Sequence, residues 1–321
     1  FYATLQDAID NAIDGDVVTL IADVTEDEVL ITQKADVDVT IDGNDKTFTG
    51  HMTIFGSGRH TGAETLTIKN VVFQAVDGKG ECIASATKIN GVNSYAHNVT
   101  VEGCTFKGND TYSADHTFAI RFPSGGVGYD LTVTDCTADE KMFGLLWVTQ
   151  VVGDLIVDNC TAEGVKEGIV LTSTTKATIT NTKIDASTVA IRAGQQVPAD
   201  GKINEFIFNN NTLKSDAIAI QLRGDATDAN LSMTENVVSG TTHISGNTAD
   251  TKISADANYW DGEKAPVATT PVDVFSYYAE LNADGTIKEE SLKSNVVAKI
   301  GEAQYTSLQA AVKASNAENN N

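Results

Sequence analysis

The sequence predicts an all-β fold, a right-handed parallel β-helix of about nine or more coils with an N-terminal capping α-helix. Three observations carry that prediction. One short pattern recurs along most of the chain, like residues fall at one fixed place in the pattern, and the opening segment has the periodicity of a helix.

The recurring pattern is a strand, a bend and a second strand. It reads LTIKNVVF from Leu66, VTVEGCTF from Val99, LTVTDCTA from Leu131, LIVDNCTA from Leu155, ATITNTKI from Ala177, FIFNNNTL from Phe206, LSMTENVV from Leu231 and ISADANYW from Ile253. The intervals are 33, 32, 24, 22, 29, 25 and 22 residues, and VTIDGNDK from Val39 precedes the first by 27. Each copy alternates apolar and polar residues, as a half-buried strand does, and then reaches a position rich in Asn, Asp or Gly, which marks a bend. One solenoid coil fits these intervals, with insertions entering at loops.

Immediately after the bend, Cys104, Cys136 and Cys160 occupy equivalent positions, and Asn211, Asn236 and Asn258 occupy the same position in later copies. Stacked at about 4.8 Å per rung, such residues form ladders. The cysteines read as small buried residues filling the bend, since neighbours in a parallel stack seldom reach disulfide torsion. The asparagines read as amides that satisfy one another and the backbone.

A second aligned set follows: FAIRF from Phe118, FGLLW from Phe143, EGIVL from Glu167, VAIRA from Val189 and IAIQL from Ile218. Aligned without gaps, it places Ile120, Leu145, Ile169, Ile191 and Ile220 inward with Phe122, Trp147, Leu171, Ala193 and Leu222. Arg121, Leu146, Val170, Arg192 and Gln221 then face outward in one column, with Pro123, Val148, Thr172, Gly194 and Arg223 flanking it.

Both ends of a solenoid need covering. In YATLQDAIDNAIDGD the residues Leu5, Ala8, Ile9, Ala12 and Ile13 form one helical stripe, with Thr4 as N-cap and Gly15 as terminator, so residues 1–16 are read as the cap. The β-helix proper is expected over 17–262 and a closing segment over 263–298. Residues 299–321 are read as the start of a further tandem module, because YTSLQAAVKA from Tyr305 repeats YATLQDAIDN from Tyr2 at an offset of 303.

Composition narrows the partners. The chain holds 321 residues, with 22 Lys and Arg against 44 Asp and Glu, for a net charge of -22. With no basic stretch, nucleic acid and anionic lipid are poor partners. No apolar run approaches the ~18 residues of a membrane span. The four cysteines, Cys82 included, form no CxxC pair, so no zinc or redox centre is expected. No EF-hand loop or glycine-aspartate nonapeptide array is present; no cofactor is expected, and calcium is the one ion the acidic turns leave open. The histidines, His51, His60, His97, His116 and His243, are scattered and read as solvated or singly bonded.

The cap sequence, the coil repeat and the closure NYWDGEKAP from Asn258 together resemble the pectin-lyase-like β-helix modules of large bacterial cell-surface adhesins of the Gram-positive type. The resemblance spans almost the whole chain. It implies an extracellular, surface-attached module, a monomer within a multi-module protein, binding a host or environmental glycan or a protein receptor. It also implies that Tyr259 and Trp260 close the last coil rather than stack on sugar.

Enzymes of that superfamily lay substrate across the outward face where Arg121, Leu146, Val170, Arg192, Gln221 and Arg223 are placed, so these six are the candidate ligand-binding residues. A glycosidase needs two carboxyl groups ~5 to 9.5 Å apart. The column offers none, its nearest carboxylate by alignment being Glu167, and the polygalacturonase motifs NTD, DD, GHG and RIK are missing. A binding or display module without catalysis is therefore the leading expectation. A divergent polysaccharide lyase or hydrolase and a rigid spacer are the alternatives.

Overall fold

A computed structural model describes residues 1–56, 64–77, 81–86, 88–89, 92–93, 96–109, 117–122, 130–194, 204–223, 229–246, 252–270, 272–273, 275, 277–288, 292–294, 298–300, 303–305, 312 and 315. From Leu66–Lys69 onward each coil starts with a strand whose alternate side chains are buried: there Leu66 and Ile68 point in and Thr67 and Lys69 point out. These strands stack in parallel and in register, Val99 between Leu66 and Leu131, and Val101 between Ile68 and Val133. The stack runs from Asp16–Thr19 to Lys252–Ser254 through ten strands among the described residues. The chain is an all-β parallel β-solenoid.

From Leu66–Lys69 onward the bend after each of these strands is a single left-handed residue. Asn70, Gly103, Asp135, Asn159, Asn181, Asn210, Glu235 and Ala257 all have φ between 50 and 61°. Asn, Asp and Gly tolerate this conformation, which explains the composition at that position; Glu235 and Ala257 hold it against the strain of their Cβ atoms.

The next residue turns inward and builds the ladder. Val71, Cys104, Cys136, Cys160, Asn211, Asn236 and Asn258 are all buried there, as is Thr182. The Cys136 thiol lies 3.2 Å from Thr134 O and 3.6 Å from Val101 O, and Cys104 and Cys160 repeat the arrangement. All four cysteines are free.

Each ladder asparagine accepts a backbone N–H through its Oδ1: Asn211 from Thr182 N, Asn236 from Asn211 N and Asn258 from Asn236 N, each at 2.9 Å. Their Nδ2 groups donate to Ile179 O, Phe208 O and Met233 O. Buried amide groups are thereby satisfied on both sides.

The short second strands carry an inward stack that begins with Phe48, Phe73 and Phe106. The Phe73 and Phe106 rings are 5.1 Å apart and nearly parallel, and Phe48 meets Phe73 edge-on at 5.9 Å. The stack ends at Trp260, fully buried against His243 at 5.6 Å, so Trp260 closes this end of the core. The chain then continues around the end, where Ala268 bridges Ile244 and Tyr278 bridges Asn258, and Tyr277–Tyr278 pairs with Lys293–Ser294. The repeat over 305–314 lies outside the described residues except for Tyr305 and Val312.

At the other end α1 spans Leu5–Asp10, with Thr4 as N-cap, its Oγ1 accepting from Asp7 N at 3.0 Å. The helix is shorter than its apolar stripe suggests. Asp16 Oδ2 takes Ile13 N at 2.9 Å, a backbone donor that a longer helix would use, while Asp14 Oδ1 takes Asp38 N of the next coil at 3.0 Å. Gly15, at φ +78°, serves the turn into β1 (Asp16–Thr19) rather than the helix end. Gln6 seals the free edge of β2 (Val24–Gln33): its Oε1 accepts from Leu30 N at 2.7 Å and its Nε2 donates to Leu30 O at 2.9 Å. One side-chain amide thus stands in for a neighbouring strand.

Candidate functional site

The third strand of each coil carries the outward face on which the candidate residues were placed. Inside it, Met52, Ile83, Ile120, Leu146, Ile169, Ile191, Ile220 and Ile244 stack in register, all fully buried. Outside it, Ala84, Arg121, Trp147, Val170, Arg192, Gln221 and Ser245 form one column.

Leu146 is therefore a correction: it belongs to the core and Trp147 takes its place on the face. Phe118 pairs with Gly144, not with Phe143, and a slip of one residue exchanges the two sides of a strand. The cause is steric. A Cβ at Gly144 would lie 2.5 Å from the Phe118 ring and collide with Glu167 O, so only glycine fits beneath that ring. Leu145, expected in the inward column with Ile120 and Ile169, is buried but yields that place to Leu146 and sits on the rung of Ala119. Val148 faces the core between Phe122 and Leu171 rather than flanking the outer column.

Phe118, Phe143 and Val170 form a second apolar cluster separate from the main core, with half-buried Trp147 packed against it. The Phe118 ring lies 5.3 Å from Phe143 and 5.7 Å from Trp147. The Arg121 guanidinium sits 4.5 Å from the Trp147 ring centroid, a cation-π contact, and Glu81 Oε1 holds Arg121 Nη1 at 2.9 Å. Arg121 Nε is buried and has no hydrogen-bond acceptor among the described residues. Trp147 Nε1 approaches Thr172 Oγ1 at 3.4 Å.

Beyond Val170, Arg192 is held twice. Its Nη2 meets Glu167 Oε1 at 2.5 Å and its Nε donates to Gln221 Oε1 at 2.9 Å. These four groups, Glu167, Arg192, Gln221 and Thr172, are more enclosed than the Arg121 end; the Arg192 and Glu167 side chains are 19% and 12% exposed. Arg223 is exposed at the end of strand Ile218–Leu222. The flanking residue Pro123 and the insertion over 123–129 lie outside the described residues, as does most of the insertion from Gly108 to Thr117.

The face thus joins Arg121, Val170, Arg192 and Gln221 as expected and adds Glu81, Trp147 and Phe118. By register Glu81, Phe118, Gly144 and Glu167 occupy successive rungs. Three rungs of about 4.8 Å separate the two carboxylates by ~14 Å, beyond the ~5 to 9.5 Å of a glycosidase pair. Each is also committed to an arginine, so this pair does not supply an acid and a base.

Of the histidines, His51 lies 3.4 Å from Glu28, while His97 and His243 are buried and His60 and His116 lie outside the described residues. Burial lowers the His243 pKa, against the nearby charges of Asp261 and Glu263, and its Nδ1 accepts from Val267 N at 3.0 Å. Among the described residues no group of three or more His, Cys, Asp or Glu is placed to hold a metal ion, and no helix is long and apolar enough to cross a membrane.

No protein-family model matches the chain, and no curated protein matches it significantly. Among solved structures, a mutant tailspike protein of the E. coli bacteriophage HK620 is similar, at 14% identity and a TM-score of 0.41. The match covers 83% of this chain and 62% of that one, so the chain spans less than two thirds of the tailspike's length. That likeness is one of architecture, and the site stands on its own geometry.

Proposed function

We propose that the chain is a glycan-binding module of an extracellular bacterial surface protein, with the Arg121, Trp147, Val170, Arg192 and Gln221 column as its contact face and an acidic oligosaccharide as its ligand. The observation that carries this reading is the pair of pre-oriented guanidinium groups at either end of an aromatic and aliphatic strip. Arg121 is fixed by Glu81 and the Trp147 ring, and Arg192 by Glu167 and Gln221. Side chains locked before binding lose little entropy when a ligand arrives.

Three rungs place the two arginines ~14 Å apart, a span suited to an oligosaccharide rather than one ring. Their remaining N–H groups can take carboxylate or sulfate oxygens at both ends, since the planar fork suits such anions. The half-buried Trp147 between them offers apolar surface to sugar C–H groups, with buried Val170 packed against it from within. The net charge of -22 repels an acidic ligand at long range, so recognition rests on these local contacts and the solenoid serves to present them.

A glycan array tests the reading, with the wild-type chain beside Arg121→Ala/Arg192→Ala and Trp147→Ala variants. Binding to uronate or sulfated glycans that both variants lose supports it. Wild-type binding retained by both variants moves the site elsewhere, and silence across the array rejects the glycan reading.

A further inference from the structure

The proposed contact face is built from one unit used twice. Glu81 and Glu167 hold the same register position, three residues ahead of the outward column at Ala84 and Val170, and each reaches the arginine of the following rung. Glu81 Oε1 meets Arg121 Nη1 at 2.9 Å and Glu167 Oε1 meets Arg192 Nη2 at 2.5 Å. The two units stand three rungs apart, ~14 Å. The column positions between the arginines are Trp147 and Val170, neither of them charged.

Each unit has little left to offer a ligand. The Glu81 and Glu167 side chains are 14% and 12% exposed, so both carboxylates are withdrawn against the guanidinium they hold. Arg192 Nε is engaged by Gln221 Oε1, and Arg121 Nε is buried. Among the described residues no hydrogen bond uses Arg121 Nη2 or Arg192 Nη1, which leaves one terminal nitrogen at each end for a ligand oxygen.

Two cations and two anions leave these units neutral in sum, on a chain of net charge -22. An extended pyranose chain advances by close to the ~4.8 Å of one rung, so a chain along the solenoid axis sets about one sugar on each rung. With an acid on every sugar, only the acids at the two arginine rungs find a cation. Those between lie over Trp147 and Val170, with Glu167 on the Val170 rung, and like charges facing each other at a partly buried site repel. Acids three sugars apart meet both arginines and avoid that repulsion. Resting on the reading of this face as a glycan site, the geometry points to its ligand as a heteropolysaccharide segment with an acidic group on every third sugar and neutral sugars between. Glu81 and Glu167 then have a second task, the exclusion of chains charged on every unit.

Isothermal titration of the full chain with two tetrasaccharides of the same linkage tests it, one with uronates at the first and fourth sugars and neutral sugars between, the other with uronate at every sugar. The wild type is expected to bind the sparsely charged chain at least about tenfold more tightly. In the Glu81→Gln/Glu167→Gln variant the amide oxygens still accept from the arginines while the charge is gone, and circular dichroism checks its fold. That variant is expected to bind the fully charged chain at least about tenfold more tightly than the wild type does, and to lose the preference. Wild-type binding of the fully charged chain that is equal or tighter, which needs no variant to decide, overturns the spacing and leaves the glycan site standing. A preference unchanged in the folded double variant overturns the role of the two glutamates. Binding of neither chain overturns the spacing together with the glycan site.

Discussion

Arg121 lies 4.5 Å above the Trp147 ring although the two are 26 positions apart, because the strands that carry them are in-register neighbours in which Arg121 pairs with Trp147. Glu81, one rung further on, completes the arrangement by holding the guanidinium from its other side. The proposed contact face therefore depends on register, and the consequences of that register can be measured.

Gly144 sets that register. The Gly144→Ala variant is expected to lose about 3 kcal/mol or more of stability, since the new methyl meets backbone and the Phe118 ring rather than a yielding side-chain end. Urea unfolding measures the loss, and a stable variant would mean that Phe118 can leave its place over the glycine.

The Asn236→Ala variant is expected to cost about 3 kcal/mol or more, because it strips partners from buried Asn211 N, Phe208 O and Asn258 Oδ1 together. The Asn236→Thr variant is expected to recover part of the loss. Thr182 already fills the same rung, where its hydroxyl accepts from Cys160 N and donates to Thr180 O.

Two bend positions are open to improvement. The Ala257→Gly and Glu235→Asn variants relieve a left-handed residue that carries a Cβ poorly suited to it, and each is expected to stabilise the chain by about 0.5 to 1 kcal/mol. The urea midpoint reports the gain, with the slope unchanged.

His243 makes stability depend on pH. Its folded pKa is lowered from 6.5 by burial, so between the folded value and 6.5 the unfolded chain binds the extra proton. Its contribution is complete above pH 6.5 and is lost as pH falls through the folded pKa, when protonation removes the Nδ1 acceptor from Val267 N. The His243→Asn variant is expected to show a shallower decline between pH 6.5 and 5 than wild type. Equal slopes would show that other groups set that decline.

The buried thiols act at the opposite end. Burial pushes the Cys82 thiol up, and the hydrogen bond to Cys136 is the largest cause raising Cys160, so the folded chain keeps protons there that the unfolded chain releases above about pH 9. Stability is expected to fall above that pH. A thiol reagent should modify the native protein slowly at pH 8 and rapidly once it is unfolded.

The solenoid, its bends and both ladders were legible because one structural need recurs at one place. A left-handed bend selects Asn, Asp or Gly, and the inward corner selects small or amide side chains, so eight copies reveal a rule that a single copy would hide. Trp147 was misplaced by one residue because FAIRF and FGLLW share an initial Phe. The deciding fact was the space beneath the Phe118 ring, which pairwise alignment does not contain. Glu81 left no signal, since the strand it precedes, Ile83–Ser85, is three residues long and stands apart from the aligned set. The short extent of α1 was hidden because competition from Asp16 for Ile13 N acts through side-chain geometry rather than periodicity.

The most direct test of the proposed glycan-binding face is a titration followed by tryptophan fluorescence. Trp260 is sealed in the core, so a ligand on the face reports through Trp147. Uronate oligosaccharides are expected to change the emission saturably in the wild type, neutral oligosaccharides to leave it unchanged, and the Trp147→Phe variant to lose the response. No change with any acidic oligosaccharide, or a response that persists in the Trp147→Phe variant, would contradict the assignment of this face.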